Sequence, residues 1–338
     1  MQTPWPTLED IRAAAERIRG VADGTPLIPS PFMSRATGRE VLLKLETVQP
    51  IGAFKLRGAL NAVALLPEGV AGVTCCSTGN HGRGVAFAAQ ARGLRAVICM
   101  SELVPEAKVA GIRALGAEVR IGGRSQDAAA REAARLVAEE GLVDISPFDD
   151  PAVIAGQGTI GLEIMAARPD VATLLVPLSG GGLAAGIALA AKTLKPDVRV
   201  IGISMDRGAA MHASLAAGRP VEVEEVPSLA DSLGGGIGLG NRLTFPICRA
   251  RLDGTVLVTE EEIYRAMQAL YWEDRIVAEG ACVVGLAAVL AGKVALADGP
   301  VATIITGRNP DMEVFTKVVT GRDVVLGDHT VTGRAHGA

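Results

Sequence analysis

The chain has 338 residues, 49% of them hydrophobic, which is ample for a well-buried core and allows one large domain or two. Charge is nearly balanced, with 33 Lys and Arg against 37 Asp and Glu, and aromatics make up only 3%, which argues against a basic nucleic-acid surface with stacking platforms. No apolar run reaches membrane-spanning length, and the start Met1-Gln-Thr-Pro-Trp-Pro6 lacks the basic and apolar regions of a secretory signal.

In chain order, residues 8–20 read as an amphipathic helix capped by Thr7, with Glu9 and Asp10 in its first turn. Thr25-Pro26-Leu27 is a short extended entry to the fold. Val41-Leu42-Leu43 leads through Leu45-Glu46 as a strand, and after Lys55 the apolar positions Leu56, Leu60, Val63 and Ala64 recur at helical spacing. Strand and helix patterns then alternate: strands at 73–76, 96–100, 118–121 and 142–145, with helices at 81–92, 105–115 (opened by Pro105) and 126–140 between them. A long helix at 151–167 is followed by strands at 173–177, 198–203, 255–258 and 302–305 and helices at 183–194, 209–217, 260–271 and 278–291. The polar tail from Asp328 is expected to fray.

Continuous apolar strands separated by helices imply parallel α/β sheets covered on both faces. Richness in alanine and glycine suits close packing of helix on sheet. Cys75, Cys76, Cys99, Cys248 and Cys282 form no CxxC pair, and the first three fall in predicted core strands, as expected of reduced residues in a cytoplasmic protein.

Four stretches can carry chemistry. Lys55 sits at a strand-to-helix junction flanked by Gly52, Ala53 and Phe54. It is either an ordinary solvated lysine or one held in an apolar pocket, where desolvation leaves a neutral amine able to form a Schiff base. Ser77-Thr78-Gly79-Asn80-His81-Gly82 follows a strand and opens a helix, so its N–H groups suit a carboxylate, although a plain capping turn fits as well. Ser179-Gly180-Gly181-Gly182-Leu183 joins a strand to a helix as a phosphate cradle of backbone amides. It lacks the Lys-Ser/Thr pair of a Walker loop, but it satisfies a loose GxGxxxG with Asp206 about 20 residues on, which keeps a nicotinamide-dependent oxidoreductase as a rival. Thr306-Gly307 ends the last strand, where a hydroxyl faces either a ring nitrogen or solvent. The glycine run from Ala230 to Gly238 reads as lid, hinge or connector.

Taken in order, these motifs resemble the fold-type II pyridoxal-phosphate enzymes of the serine/threonine dehydratase family, over about residues 11–319. The resemblance implies two doubly wound, mostly parallel-sheet domains of the tryptophan synthase β-like kind. A small domain of residues 72–149 would close over the substrate, and residues 1–71 and 150–338 would form a large cofactor-binding domain. It also implies a homodimer, an amino acid as the small-molecule partner, and pyridoxal 5'-phosphate as cofactor. Carried over by motif, Lys55 would hold the cofactor covalently with Phe54 beside it, and Asn80 would bond its ring hydroxyl. Gly180, Gly181, Gly182 and Leu183 would bind its phosphate, and Thr306 would face the pyridine nitrogen. Ser77, Thr78, Gly79 and His81 would anchor the substrate carboxylate.

Lys55 would take the Cα proton of the substrate, and loss of a β-hydroxyl would end in a 2-oxo acid and ammonia. Thr78, the second candidate catalytic residue, replaces the serine that serves eukaryotic serine racemases as acid/base, which argues against racemisation. Ala53 stands where many relatives have serine, and Ser204 and Ala210 stand where those racemases place metal-binding acids, so no divalent metal is expected there. Within the family, the runs Lys44 to Pro50, Ala155 to Glu163 and Met211 to Gly218 look most like hydroxyectoine utilisation dehydratases. The expected substrate is accordingly a ring-opened hydroxyectoine derivative. A plain threonine/serine dehydratase and a non-catalytic ligand-binding module are the alternatives.

Overall fold

The computed structural model describes residues 4–337 apart from positions 23, 78, 103, 105 and 124. In chain order, α1 (Leu8–Ile18), β1 (Leu27–Pro29), α2 (Pro31–Thr37), β2 (Val41–Leu45) and α3 (Lys55–Ala64) come first. Then follow β3 (Val73–Cys76), α4 (Asn80–Ala91), β4 (Ala96–Met100), α5 (Glu106–Arg113), β5 (Glu118–Ile121), α6 (Gln126–Glu140) and β6 (Val143–Asp144). Next are α7 (Pro151–Ala167), β7 (Thr173–Pro177), α8 (Gly182–Leu194), β8 (Arg199–Met205), α9 (Ala210–Ala217) and α10 (Thr244–Arg251). The chain ends with β9 (Gly254–Val258), α11 (Glu260–Asp274), α12 (Val284–Leu290), β10 (Val301–Ile305), α13 (Met312–Val319), β11 (Val324–Leu326) and β12 (His329–Val331).

Local chemistry starts the helices where the sequence marks them. Thr7 and Asp10 form a reciprocal capping box at α1, and Thr259 with Glu262 does the same at α11. Asp150 accepts from Val153 N, and Pro151 supplies a pre-set first residue to α7.

Two sheets organise the molecule. The larger has six strands in the order β1-β2-β10-β7-β8-β9, all parallel except the antiparallel edge pair β1–β2. The smaller is parallel throughout, in the order β5-β4-β3-β6. Every residue of β4, β7 and β10 is buried, as strands covered by helices on both faces require. Glycines let α7 approach its neighbours closely. A Cβ on Gly156 would sit 2.7 Å from Gly58 Cα of α3, and one on Gly158 would sit 3.0 Å from Gly186 O of α8.

This order fixes the site. β2, β10 and β7 are adjacent and parallel. The loops leaving their carboxyl ends carry Lys55, Thr306 and the three glycines, so the loops open side by side. The Ser77 loop leaves β3 of the smaller sheet.

Some expectations are corrected. Residues 278–291 form a 3-10 turn, Gly280–Cys282, and then α12, because Gly280 is pressed against Leu229 O and the Cys282 thiol is turned to Gly307. The tail from Asp328 does not fray: β12 pairs antiparallel with β11, burying Val331 in the main core. The short helices α2, α10 and α13 have no counterpart among the predicted elements. Pro105 lies outside the described residues, so its expected place at a helix start is not described. Among the described residues no helix is long and apolar enough to cross a membrane, and no disulfide forms among the five cysteines.

Candidate active site

Lys55 is the first residue of α3, and the strand-end loops clamp the chain around it. Phe54 N donates to Thr306 O at 2.9 Å and Arg308 N to Gly52 O at 2.8 Å, making a bridge between Ala53 and Gly307. Gly52 has φ +73, and a side chain there would press on Arg308 Cγ at 3.0 Å. The Lys55 amine donates to Pro147 O at 2.7 Å and lies 5.4 Å from the centre of the Phe54 ring. No carboxylate pairs with it among the described residues, and desolvation lowers its pKa to about 8. Lys55 is therefore a pocket lysine whose neutral form is accessible near physiological pH. Lys44, also buried, differs in being tied to Glu163 and Thr25 O at 2.5 Å each.

The same helix also carries an ion network. Arg57, two residues along α3 and fully buried, forks onto Glu46 through Nε at 2.8 Å and Nη2 at 2.9 Å. It also reaches Glu163 at 2.6 Å and Thr159 at 3.0 Å on α7. With Lys44, two cations and two carboxylates are mutually neutralised.

The glycine loop is walled rather than open on every side. Gly181 adopts φ +91, and a side chain there would meet Met211 Cε at 2.7 Å and Thr244 Cβ at 3.0 Å. The ring of Phe148 occupies the space a Cβ on Gly180 would take. α8 opens at this loop with no side-chain cap, so its first N–H groups are left for an anion. Such a cradle fits a phosphate monoester, and Lys55 supplies an amine past the end of β2, with β10 between that strand and β7.

Asn80 opens α4, and its side chain reaches the Thr306 loop. Nδ2 donates to both oxygens of Glu279 at 2.9 and 3.1 Å, and Oδ1 accepts from Asn309 Nδ2 at 2.7 Å. Thr306 is buried, with Oγ1 3.2 Å from Cys282 Sγ. Ser77 Oγ accepts from Gly79 N at 3.4 Å, and Gly79 faces open space. His81 is buried, with Nε2 2.7 Å from Ile145 O, and burial and the nearby Lys55 charge lower its pKa to about 3. A neutral ring donating to Ile145 O would have to break that bond to offer Nε2–H to a substrate. Thr78 lies outside the described residues.

Sequence reasoning missed Pro147, Phe148, Glu279, Cys282 and Asn309. Only Glu279 carried a signal, as the one acid in the apolar stretch from Ile276 to Leu290.

Residues 18–307 match the family described as "Pyridoxal-phosphate dependent enzyme", and the chain belongs to that family. It is thus a pyridoxal-5'-phosphate enzyme, with the fold-type II architecture of mostly parallel α/β sheets. It is 56% identical to a protein of Sinorhizobium fredii described as a candidate threonine dehydratase, over 93% of this chain and 96% of that one. It is 42% identical to an L-threonine ammonia-lyase of Thermotoga maritima, over 93% of this chain and 78% of that one. Among solved structures, maize serine racemase superposes with a TM-score of 0.88 at 30% identity, covering 93% of this chain and 97% of that one. The nicotinamide reading of the glycine loop is set aside by this membership.

Proposed function

We propose that the protein is an ammonia-lyase that eliminates water from a 3-hydroxy amino acid, releasing a 2-oxo acid and ammonia, with threonine and serine as its substrates. The observation that carries this reading is the uncharged-prone Lys55 amine, unpaired by any described carboxylate, at the meeting point of loops from three adjacent strands. The threonine dehydratase and ammonia-lyase names of the relatives support the substrate class.

Pyridoxal phosphate, when bound, supplies the electron sink for the pair left behind by the departing Cα proton. Lys55 accepts that proton at Nζ, which its lowered pKa suits near neutral pH. Gly180, Gly181, Gly182 and Leu183 would hold the phosphate with backbone N–H groups, Phe54 would flank the cofactor beside Lys55, Asn80 would bond the ring hydroxyl, and Thr306 would serve the ring nitrogen. Ser77, Thr78, Gly79 and His81 would hold the substrate carboxylate, with Thr78 as the second catalytic group by its motif. Residues 72–149 act as the smaller domain that closes over the substrate, in a cytoplasmic homodimer.

A ring-opened hydroxyectoine derivative, 3-hydroxy-2,4-diaminobutyrate free or acetylated on its γ-nitrogen, is the second reading. The sequence runs that resemble hydroxyectoine utilisation dehydratases favour it. Those runs supply Lys44, Glu46 and Glu163 to the network around Arg57, and Met211 to the wall of the glycine loop. They shape the framework, which weakens them as guides to the substrate. Ammonia release from threonine, serine, the two ring-opened compounds, the α-acetylated isomer and intact hydroxyectoine decides between the readings. Threonine turned over fastest supports the first, and a ring-opened compound outpacing it supports the second. Release from none of them overturns both readings.

A further inference from the structure

We propose that Glu279 is a positioning residue of this site that acts through Asn80, a role that rests on the reading of Asn80 as the contact to the cofactor's ring hydroxyl. Glu279 is 5% exposed, and a buried carboxyl is costly unless its oxygens are occupied. Here they are. Oε1 accepts from Asn80 Nδ2 at 2.9 Å and Asn309 N at 3.1 Å, while Oε2 meets Asn80 Nδ2 at 3.1 Å and accepts from Ser232 Oγ at 3.0 Å. The backbone N–H of Glu279 donates to Gly307 O at 3.1 Å. One side chain therefore fastens four segments: the start of α4, the turn before α12, the glycine-rich connector through Ser232, and the end of β10.

The consequence for Asn80 is geometric. Glu279 holds its amide nitrogen, and Asn309 Nδ2 holds its carbonyl at 2.7 Å. An amide fixed at both ends cannot rotate about its last bond. Each end keeps one unused position, the second N–H hydrogen and the second carbonyl lone pair, pointing in a direction its protein partners set. A ligand hydroxyl then finds a pre-oriented partner, which lowers the ordering cost of binding. Gly307 gives independent support. A Cβ at that position would collide with Glu279 Oε1 and lie 3.2 Å from Asn80 Nδ2. The residue after Thr306 has to be glycine because the Glu279 carboxyl occupies the space of its side chain.

The test compares Glu279→Ala, Glu279→Gln, Asn80→Ala and the Asn80→Ala/Glu279→Ala double variant as apoproteins titrated with pyridoxal phosphate. The readouts are the dissociation constant, the absorption maximum of the bound cofactor and the Tm before loading. Glu279→Ala should weaken cofactor binding about tenfold or more and shift the band in the same sense as Asn80→Ala. Glu279→Gln keeps one acceptor oxygen and should stay within about threefold of the parent. In the Asn80→Ala background, removing Glu279 should add less than about twofold, because the two act as one unit. Full additivity in the double variant, or a Glu279→Ala protein with parental affinity and band, overturns the proposal. Parental affinity and band in Asn80→Ala alone overturn the underlying reading of Asn80 as well. Should Glu279→Ala fail to fold, Gly307→Ala displaces the same carboxyl, and an unchanged band there overturns the proposal.

Discussion

Cys282 Sγ lies 3.2 Å from Thr306 Oγ1 and 3.0 Å from both the nitrogen and the carbonyl oxygen of Gly307. The thiol is an internal strut that sets the direction of a hydroxyl at the end of β10, and burial with the adjacent Glu279 charge pushes its pKa up to about 12. A thiol so placed is inert. Native protein treated with a small alkylating reagent at about pH 8 should be modified first at half-buried Cys76, leaving Cys282 and Cys248 untouched until denaturant is added. Mass spectrometry of the labelled peptides reads this out. Rapid native labelling at Cys282 would show that the strut opens. Cys282→Ala should lower stability by about 1–2 kcal/mol, the cost of a lost methylene-sized volume plus its hydrogen bonds.

Lys55→Ala should abolish the absorbance of the bound cofactor and nearly all ammonia release while the protein stays folded. The apoprotein should also show the lysine's pKa. Covalent uptake of pyridoxal phosphate needs the neutral amine, so its rate should rise with pH to a midpoint of about 8. The sign for stability follows. Burial holds the folded-state pKa at about 8, below the ordinary lysine value of 10.5, so the group's cost is absent above about 10.5, grows as pH falls from there and is complete below about 8. Apo Lys55→Ala should accordingly gain stability over the parent below that window and lose the gain above it, as thermal melts across pH would show.

Much of this was legible in the sequence, and the reason is local. β3, β4, β5, α6, α7 and β7 have the predicted bounds, because unbroken apolar runs and signals such as Asp150-Pro151 are written within the elements themselves. Lys55, the three glycines and Thr306 were each recognisable because each follows a strand. That β2, β10 and β7 stand side by side was not recognisable, since strand order depends on pairings between residues as far apart as Val41 and Val301. Glu279 and Asn309 matter through contacts made only after folding, and α2, α10 and α13 are too short for a clear period.

Gly181→Asp should give a protein that stays without cofactor however much is added. It places a carboxylate against the phosphate, in a loop whose φ of +91 already disfavours a side chain and whose wall, Met211 Cε, would be 2.7 Å from its Cβ. Gly180→Ala separates sterics from charge, because its methyl group would enter the Phe148 ring. It should weaken cofactor binding, and Phe148→Ala should restore part of the loss. Normal cofactor content in Gly181→Asp would show that the phosphate lies elsewhere.

The Arg57 network yields the largest predicted loss of stability. Arg57 and Glu46 are both fully buried and joined by two short hydrogen bonds, and Glu163 completes the guanidinium's partners from α7. The pair's attraction and its desolvation largely offset each other while both are present, so the network's net contribution is small. Removing the guanidinium is different, since Glu46 then stays buried with hydrogen bonds from Thr25 Oγ1 at 2.6 Å and Gln49 Nε2 at 3.1 Å but loses the cation it is paired with. Arg57→Ala should therefore cost about 3–5 kcal/mol, whereas Arg57→Ala with Glu46→Ala should cost less than the single change. Arg57→Lys should fail to rescue, because an ammonium cannot fork onto Glu46 and reach Thr159 and Glu163 together. Since Arg57 lies two residues from Lys55 on α3, the single variant should also lose cofactor affinity, and the double variant should regain stability without regaining that affinity. Urea melts paired with cofactor titrations test both halves. A double variant less stable than Arg57→Ala would mean that the hydrogen bonds from Thr25 and Gln49 to Glu46 outweigh the cost of its unpaired charge.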